Sequence, residues 1–198
     1  MRRTLAITLV ALAALASLDA GAEQSVDGTA PYSAAARLDF RIIIPGYLRL
    51  QVGSAGATID EIAFAPTVAN LGSGTLINGT GGNALGGSGA TVNVQGSSGQ
   101  ITITATNNSG GLGLGTGTPA DGYIDYSEIQ ATSTSARLPT PTLTNAGGTT
   151  ALPTLNTAKV TDRQANWRFR YRNQTIPSAG TYGTAANGGR VTYTATMP

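Results

Sequence analysis

From Ala36 to Ile44 every second residue is apolar: Ala36, Leu38, Phe40, Ile42 and Ile44 share one parity, while Arg37, Asp39 and Arg41 occupy the other. A two-residue period marks a half-buried strand. Pro45-Gly46 then interrupts, and Leu48, Leu50 and Val52 resume the alternation around Arg49 and Gln51, so two successive strands are expected across a Pro-Gly break. The same period returns in GGRVTYTATMP, where Val191, Tyr193, Ala195 and Met197 alternate with Thr192, Thr194 and Thr196. Terminal segments fray unless tied down, so this last strand raises the question of its partner.

In NWRFRYRNQ, residues 166–174, Trp167, Phe169 and Tyr171 share one parity and Arg168, Arg170 and Arg172 the other. Arginines mixed with aromatics suggest a platform for single-stranded nucleic acid, but that needs the rings outside. This spacing predicts a core strand that buries the rings and exposes a row of guanidiniums, open to a partner or to a charged cell surface.

The strands predicted in full are 36–44, 47–52, 58–64, 91–95, 100–105, 123–129, 166–172 and 190–197. They are short, rich in Thr, Val, Ile and Tyr, and bounded by Gly, Asn, Ser and Pro. Eight such strands predict an all-β fold, a β-sandwich ahead of a closed barrel. More than half of the 27 glycines lie between Gly72 and Gly117, around the alternating runs TVNVQ and QITITA. Those runs, joined by GSSG, are expected to form a hairpin, and the flanking Gly-rich stretches to be long flexible loops.

Composition narrows the chemistry. Arg2 and Arg3, the apolar run Leu5 to Leu18 and the small residues Ala20-Gly21-Ala22 have the layout of a cleaved secretory signal, so residues 1–22 are expected to be removed after export. The remainder suits one domain. Twelve Lys and Arg against 10 Asp and Glu give a formal net charge of +2, too little for general attraction to nucleic acid. With no cysteine, stability must come from burial and pairing, even in a disulfide-forming compartment. With no histidine, the commonest general base, the Ser-His-Asp and Cys-His arrangements and every histidine metal site are excluded.

The remaining candidate motifs are weak. GGLGLGTG lacks the continuation and following helix of a phosphate loop. Asp121, Asp125 and Glu128 lie close together in DGYIDYSEIQ but without the spacing of a calcium loop, and are expected to be solvated. Asp60-Glu61 has nothing convergent with it. No catalytic, cofactor or metal site is therefore expected, and the chain is read as a non-enzyme.

Burying Leu38, Phe40, Ile42 and Ile44 would contribute about 1.5 to 3 kcal/mol each before entropy is counted. Such a strand either completes this molecule's own sheet or inserts into another molecule's groove. Three elements, ARLDFRIIIP, YLRLQVG and IPSAGTYG followed by GGRVTYTATMP, give the chain a resemblance to subunits of chaperone-usher fimbriae, nearest to their cysteine-free alternate class. The likeness covers the two ends; the Gly-rich middle has no counterpart, and an additional Gly-rich turn separates Tyr182 from the last strand.

The resemblance implies an immunoglobulin-like β-sandwich, residues 45–198, lacking one strand, preceded by an N-terminal extension, residues 23–44. It implies Leu38, Phe40, Ile42 and Ile44 as donor-strand side chains, and Val191, Tyr193, Ala195 and Met197 as the acceptor edge, offered first to a periplasmic chaperone. The implied partners are that chaperone, an outer-membrane usher, sibling subunits and a host or surface receptor. The implied location is the periplasm in transit and then the cell surface, and the implied role attachment or biofilm formation. The alternative reading is a self-complete exported β-sandwich that binds carbohydrate or another surface ligand through its Gly-rich loops.

Overall fold

The computed structural model describes residues 24–198; the expected signal at 1–22 lies outside them. In chain order the strands are β1 (Leu48–Val52), β2 (Ile62–Ala63), β3 (Ile77–Asn78), β4 (Thr80–Gly81), β5 (Gly89–Gly96), β6 (Thr102–Asn107), β7 (Leu114–Gly115), β8 (Tyr123–Ile124), β9 (Ile129–Ser133), β10 (Leu143–Thr144), β11 (Gly147–Gly148), β12 (Thr161–Tyr171) and β13 (Val191–Thr196). The only helical pieces among the described residues are 3-10 turns at Val68–Asn70, Pro119–Asp121 and Tyr126–Glu128. The fold is all-β, its strand ladders are antiparallel, and its sheets are open.

The chain divides into two units between Ile44 and Pro45. Residues 24–44 contain no strand and are exposed throughout, so the strand expected at 36–44 is absent. Alternation supplies a face to bury, but a strand also needs a neighbour for its backbone groups, and none of the described ladders includes these residues.

In the second unit β5 is the centre of the main sheet. One edge pairs with β1, setting Val52 opposite Val92 and Leu50 opposite Val94. The other pairs with β12, setting Ala165 opposite Val92 and Trp167 opposite Ala90. β12 is long enough to pair a second time, with β9 along Trp167–Tyr171 and with β3 at Arg170 and Tyr171. With both edges of β5 occupied, β6 cannot fold back onto it. The hairpin expected from TVNVQ and QITITA is therefore not formed: Gly96-Ser97-Ser98-Gly99 carries the chain out of the main sheet, and β6 pairs instead with β13.

The core lies where the inward residues of these strands meet. Val92, Val94, Ile101, Ile103, Leu138 and Trp167 are fully buried, and Phe169 and Tyr171 nearly so, as the alternation in 166–172 required. Trp167 directs its Nε1 N–H to the Leu138 carbonyl at 3.2 Å, which satisfies the polar atom of the largest buried ring.

Three further expectations need correcting. The strand expected at 58–64 shrinks to Ile62–Ala63, paired with β4. The strand expected at 123–129 is broken into β8, a 3-10 turn and β9, because Asp125 caps the turn by accepting from the Ser127 N–H at 2.7 Å. The Gly-rich middle is not a pair of plain loops either: it contains the short ladders of β3, β4 and β7. Beyond it, Gly188, at φ +82°, sits where a side chain would press on the Gly113 carbonyl, and its own carbonyl accepts the Tyr126 hydroxyl.

Candidate functional site

β13 exposes a backbone edge with no partner. Its ladder with β6 runs from Val191 opposite Asn107 to Thr196 opposite Thr102, and the opposite edge carries no strand among the described residues. The alternation expected here holds: Thr192, Thr194 and Thr196 are exposed, and Val191, Tyr193, Ala195 and Met197 are half-buried and pack against the core. Met197 lies one residue beyond the ladder, with its sulfur accepting from the Ser98 N–H at 3.3 Å.

β1 is the second open edge. It is bonded to β5 alone, and it approaches β13 without hydrogen bonding to it. Leu50 and Val52 are half-buried like the inward residues of β13, and Leu48 is 38 % exposed. Each unpaired edge can accept an added strand through its main-chain groups. The alternation in YLRLQV predicted this strand, but nothing in it showed that β1 would lie beside β13.

A cleft of about 410 Å³ opens at one end of this region, lined by Gln100, Thr102, Thr196, Met197 and Pro198. At the other end, Trp167 and Tyr193 meet with ring centroids 5.1 Å apart. Burial pushes the Tyr193 hydroxyl far above its ordinary range, with a smaller contribution from Tyr126, so it is neutral at any physiological pH.

The expected donor residues form no site of their own. Leu38, Phe40, Ile42 and Ile44 are 76 %, 87 %, 85 % and 78 % exposed, and Ile43, of the other parity, is 75 % exposed.

The three carboxylates of DGYIDYSEIQ do not converge. Asp121 accepts the Thr116 hydroxyl at 2.7 Å. Asp125 is held below the usual carboxylate range by the Ser127 backbone N–H, then by the Ser127 hydroxyl and the Asn145 amide. Glu128, expected to be solvated, is 8 % exposed and accepts from the Gln174 N–H at 3.1 Å. Each carboxylate is engaged by a different set of groups, and no group of three metal-ligating side chains occurs among the described residues.

A second cleft, of about 390 Å³, follows the outer edge of β9 and was not foreseen. Ile129 and Leu143 line it together with Gln130, Thr132, Arg172 and Gln174. Its lining comes from three separate stretches of chain, two of which, DGYIDYSEIQ and NWRFRYRNQ, carry patterns of their own without any sign that they meet. No protein-family model, curated protein or solved structure matches this chain.

Proposed function

We propose that this protein is a structural or adhesive subunit of a bacterial surface fibre, joined to its siblings by strand exchange. Its domain is then an immunoglobulin-like sandwich short of one strand, and the leading segment of another copy supplies the missing one. The observation that carries this reading is the exposure of Phe40 and Ile42, 87 % and 85 %, in a segment patterned for burial yet without a ladder. The unpaired edges of β13 and β1 supply the complementary need.

Physical chemistry favours exchange over a self-complete binding module. Leu38, Phe40, Ile42 and Ile44 together represent about 6 to 12 kcal/mol of burial, unrealised while the segment stays in water. A head-to-tail fibre needs one donor and one acceptor per subunit, a heterologous contact that propagates without closing. Until the sibling arrives, an open edge invites unwanted pairing, which is the task of the proposed chaperone before handover at the usher. The protein is accordingly exported, passes through the periplasm and acts at the cell surface in attachment or biofilm formation, with no catalytic role.

The test compares parities. Purified exported protein is expected to form polymers visible by electron microscopy and by light scattering. Phe40→Asp combined with Ile42→Asp should abolish polymers and leave a folded monomer, whereas Asp39→Asn combined with Arg41→Gln should polymerise as the parent does. A parent that stays monomeric with amides 36–44 protected from exchange would overturn the reading.

A further inference from the structure

The outer face of β12 carries charge that the molecule does not neutralise. Arg168 and Arg172 are exposed and Arg170 is half-exposed, and none of the three guanidiniums has a hydrogen bond or ion pair among the described residues. Alternate residues of an extended strand are about 6.6 Å apart, so the three charges form a row. The carboxylates around them are engaged elsewhere. Glu128, whose carbonyl accepts the Arg172 N–H, is buried with its side chain on Gln174; Asp125 is committed to Ser127 and Asn145; Asp162 accepts from Gln95 at the far end of the strand.

The row ends at a half-open cleft. Arg172 lines the cleft along β9, whose floor includes Ile129 and Leu143 and whose walls include Gln130, Thr132 and Gln174. Register places Thr132 opposite Arg168 and Gln130 opposite Arg170, so neutral donors and acceptors flank the guanidiniums along β9. The side chains of Gln130, Thr132 and Gln174 make no hydrogen bonds within the protein, which leaves them available to a ligand.

We infer that this surface binds a linear acidic polysaccharide, its carboxylates on Arg168, Arg170 and Arg172 and one sugar unit seated in the cleft beside β9. Guanidiniums recognise carboxylates by paired N–H donors, and amide and hydroxyl side chains match ring hydroxyls. The half-apolar floor suits the C–H face of a sugar ring. Nucleic acid is a poorer match, because all three rings of this strand point inward and leave no stacking platform. A protein partner would look for an exposed aromatic or aliphatic anchor, which this row lacks. The inference goes beyond strand exchange and stands whether or not the chain forms fibres.

The test uses the purified exported protein and titration calorimetry at low salt with three probes: polygalacturonate, its fully methyl-esterified form and poly-dT. Polygalacturonate should bind, and the esterified polymer and poly-dT at least tenfold more weakly. Arg168→Gln, Arg170→Gln and Arg172→Gln combined should lose at least tenfold in affinity with the near-ultraviolet signal of Trp167 unchanged. Gln130→Ala with Gln174→Ala should lose threefold or more without changing the salt dependence. Equal binding by the triple variant, equal affinity for poly-dT, or no effect of the two glutamine substitutions would each overturn the assignment.

Discussion

Trp167 of β12 and Tyr193 of β13 meet at 60° with their ring centroids 5.1 Å apart, and this contact ties the main sheet to the β6–β13 ladder. An edge-to-face pair contributes about 0.5 to 1.5 kcal/mol beyond its buried area. Tyr193→Ala should cost about 3 kcal/mol by urea unfolding. In a double-mutant cycle, Tyr193→Leu and Trp167→Phe should couple by about 1 kcal/mol. A coupling indistinguishable from zero would mean that the main sheet and the β6–β13 ladder are held together elsewhere.

If subunits join by the proposed strand exchange, a peptide spanning residues 35–44 added in excess during assembly should cap the polymers and shorten the fibres. The same peptide with Phe40→Asp should have no effect, since a desolvated carboxylate would replace the largest apolar side chain of the segment. Light scattering during assembly reads both outcomes.

Stability should fall in alkali through tyrosine. Burial pushes the Tyr126 hydroxyl from 10.0 up to about 12 in the folded protein. A group with a raised folded-state value gives stability that is complete below the unfolded value and lost as pH rises through the folded one. Urea midpoints should therefore decline from about pH 10 toward pH 12, with Tyr171 and Tyr193 adding in the same direction. Tyr126→Phe should be about 1 kcal/mol less stable at neutral pH, having lost the bond to the Gly188 carbonyl. Its decline above pH 10 should be shallower than the parent's.

Gly89 starts β5 where its backbone lies against β12, and a methyl there would collide with the Trp167 carbonyl. Gly89→Ala should cost about 3 kcal/mol or prevent folding, because backbone in a paired ladder cannot move aside as a flexible side chain can. Gly28→Ala, with nothing within 4 Å of the added atom, should leave the thermal midpoint unchanged. Soluble yield and thermal unfolding measure both.

Side-chain parity was legible in the long strands β12 and β13. Trp167, Phe169 and Tyr171 turn inward and Val191, Tyr193, Ala195 and Met197 pack against the core, because alternation depends only on neighbouring residues. That β6 pairs with β13 was not legible, since the two segments lie far apart in the chain. The cleft at β9 left no trace either, since Ser127, Leu143 and Arg172 come from three separate segments.

By itself, then, the amino-acid order settled the β character of this chain and which face of β5, β12 and β13 is apolar. These are short-range properties of backbone preference and two-residue spacing. Tertiary structure decided the partners. TVNVQ and QITITA belong to different sheets because Leu48–Val52 and Thr161–Arg168 already occupy both edges of the first. Tyr123–Ile129 breaks because Asp125 engages Ser127 and Asn145. Ala36–Ile44, despite the clearest alternation in the chain, forms no strand, because a strand exists only when a second backbone pairs with it.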